Sequence, residues 1–364
     1  MRTLQQALED LDKNSGRSAE IRAYRDKVQQ MDAEALLEYY GARNVSSSES
    51  RYGTQYIHSC LIDTVEPHHS HGDESPSASL QGENLLYNCW SYGGGDLFWF
   101  LNIMEDGDQK AIREVLTELY SGALEKNTDI LNEINEILTM GSNGFVIPTY
   151  SEKVLEKWKW PHPALYEGRG IDPQVLLDYG VGFDTEAQEH IIPHFWKGDL
   201  VGWQRRRQDD ERWATSSSKS KYKNTTNFPK SETLYGFDRV EGRDVALVVE
   251  SVMSVLKART YESLAEDENV KLMLSSPVAT FGAKMTQLQS EYLRVFDDVV
   301  LWYDDDEAGK KATQEAVKLL EPFVNVYVVD HRGQKDDLAG LSFEEVNEKL
   351  QTLTPSFLAM NIWR

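Results

Sequence analysis

The feature that most constrains this chain is a five-residue apolar run at 299–303 that stops abruptly at three aspartates, Asp304, Asp305 and Asp306. Val-Val-Leu-Trp-Tyr offers no polar side chain to face water, so a strand made of it must be covered on both faces. Residues 308–320 then show the spacing of a helix. Two further runs repeat the arrangement. Residues 245–249 end in Glu250 and precede a helix-compatible stretch at 252–265, while residues 326–329 lead through a short turn to Asp336. Apolar strands separated by helices predict a parallel sheet with helices on both sides, an α/β unit within a multidomain α+β chain.

In an open parallel sheet, ligands bind beyond the carboxyl ends of the strands. Glu250, Asp304, Asp306 and Asp336 all fall there. Residues two apart on an extended chain point to the same side, which groups Asp304 with Asp306 and turns Asp305 away. Gathered carboxylates repel one another unless a hard divalent cation joins them, and Mg²⁺ or Mn²⁺ with phosphate substrates fits that need. Taken singly, any of these acids can instead cap the helix that follows it, as Asp306 and Glu307 are placed to do. The ordered set favours the metal site.

A chain of 364 residues exceeds one ordinary core, which predicts two or three domains. Its net charge of −22 excludes a protein that simply coats nucleic acid. From Val201 to Lys230, however, eight basic residues face three acids, a local +5 on a remainder of −27. Such an island predicts a confined anion site. No apolar run reaches the roughly 18 residues that cross a bilayer, so no membrane span is expected. The first residues carry acids and no apolar signal core, and two cysteines make no disulfide framework; a cytoplasmic setting is expected.

The organisation read from the sequence is a helical segment at 1–45 and a compact Cys/His-bearing domain at 46–125, the serine-rich 46–50 being turn or linker. A linker at 126–150 contains an apolar helical piece at 130–138 and a Gly/Ser break at 141–144. The basic subdomain at 151–243, the parallel-sheet domain at 244–340 and a C-terminal helix and tail at 341–364 complete the chain. Both cysteines, Cys60 and Cys89, stand within thirty residues of each other together with His68, His69 and His71. Thiolate and imidazole suit tetrahedral Zn²⁺. Gly93-Gly94-Gly95 is followed by no Gly-Lys-Ser/Thr and is not a phosphate loop; no such motif occurs in the chain, so no fused helicase is expected.

These elements together resemble the DnaG-type primases. The run ending in Glu250 and the run ending in Asp304-Asp305-Asp306-Glu307-Ala308-Gly309 are similar to the Toprim domain, which primases share with topoisomerases and some nucleases. Glu167-Gly168-Arg169-Gly170-Ile171, Gly202-Trp203-Gln204-Arg205-Arg206 and Lys221-Tyr222-Lys223-Asn224 resemble, in order, the elements of the primase polymerase core. The turn Ala279-Thr280-Phe281-Gly282 sits where that family has a glycine before the acidic motif. The resemblance implies RNA-primer synthesis on single-stranded DNA from nucleoside triphosphates, with a replicative helicase as partner. It implies Glu250 as organiser or base, Asp304, Asp306 and Asp336 as Mg²⁺ or Mn²⁺ ligands, and Arg205, Arg206, Lys221, Tyr222, Asn224, Gly282 and Lys310 as nucleotide or nucleic-acid contacts.

The region around His71 and Cys89 resembles the primase zinc ribbon, with Tyr92 in place of its fourth cysteine. Two readings stand. In one, Cys60, His71, Cys89 and one of His68 or His69 hold Zn²⁺; in the other, the ribbon is degenerate and held by its core. In either, Trp90 and Tyr92 are candidates for stacking on unpaired bases. The chain departs from the family pattern at Ser251 and Ser254, where glycine and aspartate are usual. Those departures keep two alternatives open: a Toprim nuclease, and a catalytically weak nucleic-acid-binding or regulatory protein.

Overall fold

The computed structural model describes residues 27–29, 31–50, 53–69, 76–121, 147–208, 221–282, 284–330 and 337–362. They are organised around two sheets. The strands of the first are Ser46–Ser50 (β1), Gly53–His58 (β2), Ala78–Gln81 (β3), Tyr87–Cys89 (β4), Gly93–Gly95 (β5), Thr149–Tyr150 (β6), Gly182–Asp184 (β7), Glu189–Trp196 (β8), Asp199–Arg207 (β9) and Tyr222–Asn224 (β10). They pair antiparallel in the order β1-β2-β3-β4-β5-β6-β9-β8-β7, with β10 also on β9. The serines expected as a linker therefore form an edge strand, because the backbone of β2 offers them a full ladder of partners.

One sheet thus runs through what the sequence divides into a Cys/His domain and a basic subdomain. The join is short. Gly93 and Gly94 pair with Tyr150 and Thr149, and Tyr150 pairs with Leu200 on β9. Around it, Tyr92, Trp99, Tyr150, Trp158 and Trp203 belong to a single buried cluster. Gly93 permits this: a Cβ there would collide with the carbonyl oxygen of Thr149 and the Cα of Tyr150. The linker residues 122–146, including the apolar piece at 130–138, lie outside the described residues.

The second sheet contains Val245–Val249 (β11), Pro277–Ala279 (β12), Asp298–Trp302 (β13), Asn325–Val328 (β14) and Thr354–Pro355 (β15), in the order β12-β11-β13-β14-β15. The first three pairings are parallel and the last antiparallel. The apolar runs are continuous because each face of the sheet meets a different core. Leu247, Val249, Val300 and Trp302 join one cluster, while Ala246, Val248, Val299 and Leu301 join another. The C-terminal segment packs on this domain through Val346 and Leu350 on one face and Ala359 on the other. Among the described residues, no helix is long and apolar enough to cross a membrane.

The connections set the functional edge. After β11 the chain crosses to β12 on one side, and after β13 it moves to β14 on the other. The crevice beyond the carboxyl ends of β11 and β13 is therefore the topological switch point, where open α/β sheets bind ligands.

Candidate functional site

Glu250 follows β11 and Asp304 follows β13 by one residue, so both acids reach this crevice from adjacent strands. The backbone N–H of Asp304 donates to Glu250 Oε1 at 3.0 Å. Burial, together with the charges of Asp304, Asp306 and Asp337, pushes the Glu250 carboxyl up to about 7 despite that hydrogen bond. Asp304 is raised for the same reasons, burial first and then Asp337 and Asp306. Mutual repulsion between half-buried carboxylates signals a site that lacks counter-charge, and a divalent cation with oxygen ligands supplies it.

Asp306 also caps the helix Glu307–Leu320, accepting from Gly309 N–H at 2.7 Å. Capping and proximity to the other acids coexist in this residue. Asp305 turns away and pairs with Lys310 at 2.9 Å, so the alternation read from the sequence is seen here. Lys310, expected at the nucleotide, is engaged in that surface pair. Asp336 lies outside the described residues. Its neighbour Asp337, not singled out from sequence, acts electrostatically on both Glu250 and Asp304. The doubled aspartate at 336–337 was the available signal. The Ser251 hydroxyl accepts from Ser254 N–H at 3.2 Å, and the buried Ser254 hydroxyl lies 3.0 Å from it, so both serines are absorbed in the start of the helix Val252–Glu262.

Three cations, Arg206 on β9, Lys221 beside β10 and Arg169, lie near one another. Arg206 on β9 is 1% exposed, and its guanidinium stands 5.8 Å from the ring of Tyr222 on β10. Burial lowers the pKa of Lys221, with Arg206 and Arg169 adding to the effect; Arg169 is lowered likewise by burial and Arg206. Asp337 opposes both shifts. Arg169 was visible in the sequence only as part of a motif. Arg205 is turned the other way, toward Asp184 at 3.1 Å and Glu189 at 3.4 Å, as alternation along β9 requires. Asn224 accepts from Gln204 at 2.9 Å. Gly282 has φ +139° and donates its N–H to the carbonyl of Glu250 at 2.9 Å, tying the glycine turn to the acidic strand end.

The second cluster lies in the first sheet. One ligand atom from each of Cys60, His68, His69 and Cys89 falls within 4.8 Å of the others. His68 Nε2 is 3.5 Å from Cys60 Sγ and 3.3 Å from Cys89 Sγ, and His69 Nε2 is 3.3 Å from Cys89 Sγ. A tetrahedral Zn²⁺ with Zn–S about 2.3 Å and Zn–N about 2.0–2.1 Å sets N···S edges of about 3.5 Å, so the donor set fits. Hydrogen bonds from Cys89, His68 and Tyr87 lower the Cys60 thiol to about 4, while the hydrogen bond to Cys60 and burial push Cys89 up. Asp63 organises the loop, accepting from His68 N–H at 2.7 Å and His69 N–H at 2.8 Å. Both histidines thus join the cysteines, where the sequence reading had one of them beside His71, which lies outside the described residues. Tyr92 is buried against His68 and Tyr150 and hydrogen-bonded to Glu66, which removes it from base stacking; Trp90 remains 52% exposed.

Residues 247–339 match the family described as Toprim-like. The second sheet is a Toprim-like domain. Around it the chain is similar to the DNA primase of Enterococcus faecalis, 27% identical over 306 residues covering 69% of this chain and 47% of that protein. It is also similar to the DNA primase of Halalkalibacterium halodurans, 24% identical over 74% of this chain and 49% of the relative. The chain spans about half the length of these curated relatives. The crystal structure of the Aquifex aeolicus primase (zinc binding and RNA polymerase domains) is 20% identical with a TM-score of 0.45, covering 92% of this chain and 86% of that one. The Toprim-like match begins on β11 and ends beside Asp337, and so encloses Glu250, Asp304 and Asp306.

Proposed function

We propose that this chain is a primase that joins nucleoside triphosphates into short RNA primers on single-stranded DNA. The observation that carries the reading is the convergence of Glu250 and Asp304 from adjacent parallel strands at the switch point, with Asp337 acting both on these acids and on the cations Arg169 and Lys221. Acids alone fit many metal sites. Acids close to a group of cations fit a polyphosphate that bridges the two.

The crowded carboxylates suit Mg²⁺ or Mn²⁺, which when bound would polarise the attacking 3′-hydroxyl and the leaving phosphate oxygen. Glu250, protonating near neutral pH, is suited to take up the hydroxyl proton. Asp304 and Asp306, with Asp336 or Asp337 beside them, would hold the cations. Arg206 offers a planar fork and Lys221 a point charge for phosphate oxygens, orienting the α-phosphate for in-line attack and offsetting charge on departing pyrophosphate. Cys60, His68, His69 and Cys89 would hold Zn²⁺ in a structural role, leaving Trp90 exposed to stack on an unpaired template base. A replicative helicase partner and a cytoplasmic setting belong to the same reading.

Primer synthesis de novo on single-stranded DNA, with Mg²⁺ or Mn²⁺ and with and without a helicase, tests it. Oligoribonucleotide products that disappear in Asp304→Ala/Asp306→Ala are expected. Cleavage of the template instead of synthesis would establish the nuclease alternative. Template binding with neither product would establish the weak or regulatory one, which the burial of Ser254 at the position usual for an aspartate favours.

A further inference from the structure

The strand β1 ends the first sheet and pairs on one side only, with β2. Residues 43–49 are all exposed, so this strand buries neither face, and its second edge is open among the described residues. The outward backbone groups follow from the register. Gly82 N–H donates to the carbonyl of Thr54 at 2.8 Å, which turns Thr54 and, two residues on, Tyr56 toward β3. Gln55 and Ile57 therefore turn their N–H and C=O to β1, where Ser48 and Ser46 oppose them. That leaves the N–H and C=O of Ser47 and Glu49 directed out of the sheet. Folded chains usually blunt such an edge with lysine, proline or a bulge. Ser-Ser-Ser-Glu-Ser has none of these, and its register on β2 runs unbroken.

Beside this edge lies a groove of about 460 Å³ between β1 and the helix Ala33–Tyr39. Leu37, Ala42, Val45 and Tyr56 give it apolar surface, and Glu34 and Glu38 line it with acid. No lysine, arginine or histidine lines it among the described residues. Ser47 opposes Tyr56 in the register and shares its face of the sheet, so a strand added along β1 would place alternate side chains against this groove. The acids converge there. Glu34 accepts from the Tyr56 hydroxyl at 3.1 Å, and burial, then Glu34, Asp32 and Glu49, raise the pKa of that hydroxyl. Such a surface repels nucleic acid. It also disfavours a second copy, because two β1 strands paired edge to edge would set these acids against one another.

We propose that β1 and this groove form a docking edge for a basic, extended segment of a partner protein, which adds a strand to the first sheet. The backbone of Ser47 and Glu49 supplies the pairing, Glu34 and Glu38 select lysine or arginine, and Leu37 and Val45 receive an apolar side chain. The edge uses no residue of the acidic crevice and is independent of primer synthesis.

Fluorescence anisotropy and hydrogen exchange on the full chain test it, with a labelled octapeptide of alternating lysine and valine as the probe. The peptide is expected to bind and to slow exchange at the Ser47 and Glu49 amides. A peptide of equal charge with glycine in place of valine should bind about tenfold more weakly or worse. Ser47→Pro removes an outward N–H while sparing the bonds to β2; it should weaken the first peptide about tenfold, with Ser47→Ala close to wild type. Glu38→Lys, at an exposed helix position where folding is not at stake, should also weaken it about tenfold. Wild type without affinity for the lysine–valine peptide, equal binding of both peptides, or Glu38→Lys binding as wild type does would overturn the docking edge. Ser47 and Glu49 amides already protected in the free chain would overturn the partner. Protection independent of concentration would assign the edge to a segment of this chain, and protection that grows with concentration to a second copy.

Discussion

The backbone N–H of Asp304 and the Oε1 of Glu250 meet at 3.0 Å across the gap between two parallel strands, so the acids of β11 and β13 are held in fixed relation. That relation does not prevent protonation: burial and three neighbouring acids raise Glu250 to about 7 against an ordinary value of 4.5. In metal-free protein the folded chain therefore keeps a proton that the unfolded chain releases. The Glu250 contribution to stability is fully present below pH 4.5 and is lost as pH rises through 7. Melting curves in EDTA between pH 4.5 and 8 should show wild type losing stability relative to Glu250→Gln as pH rises, levelling above about 8. A constant difference between the two would remove the proposed burial of that charge.

Asp306 carries two duties that separate by substitution. Asp306→Ser retains a capping oxygen and should leave chemical denaturation nearly unchanged, whereas Asp306→Ala should cost about 1 kcal/mol. Both should lower primer synthesis by about a hundredfold or more, because neither supplies a carboxylate. Retained activity in Asp306→Ser would reduce this residue to a helix cap.

Metal content distinguishes the ligand sets at the Cys/His cluster. Protein purified without chelators should hold one Zn²⁺ per chain, and Cys60→Ser, Cys89→Ser, His68→Ala and His69→Ala should each lose it. His71→Ala should retain it. Asp63→Ala, which removes the acceptor of both histidine N–H groups, should weaken Zn²⁺ about 10- to 100-fold in chelator competition. Loss of zinc in His71→Ala with retention in His69→Ala would restore the other set.

Tyr150 joins the two modules of the first sheet. Its hydroxyl accepts from Trp99 Nε1 at 3.1 Å and donates to the carbonyl of Thr226 at 3.1 Å, and its ring packs on Trp203 with centroids 5.1 Å apart. Tyr150→Ala should cost about 3–5 kcal/mol of stability by calorimetry or denaturant, and Tyr150→Phe about 1–3 kcal/mol through the buried Trp99 N–H it leaves behind. A full-cost loss in Tyr150→Ala with two separated unfolding transitions would show the Cys/His module melting on its own.

Much of the Toprim-like domain was legible because it obeys local rules. Continuous apolar runs such as 245–249 must be buried on both faces, and an acid directly after such a run has only the strand end to occupy. β12 and β15 escaped the reading because three-residue and two-residue strands carry too little pattern; their pairing is decided by β11 and β14. Asp305 and Arg205 show alternation at work: Asp305, between two candidate acids, pairs with Lys310, and Arg205, itself expected at the nucleotide beside Arg206, points instead to Asp184 and Glu189.

By itself the sequence determined the chemistry available: three apolar strand runs, acids at their ends, a basic island, and two cysteines amid histidines. Each follows from residue type and short-range spacing. Only the tertiary structure decided which of these groups meet. It brought Asp337 and Arg169 to the site, paired His68 and His69 with both cysteines, absorbed Ser254 into a helix start, and merged two modules through the two-residue strand β6. Those outcomes depend on contacts between residues tens to hundreds of positions apart, where burial and electrostatics act through space and local periodicity carries no information.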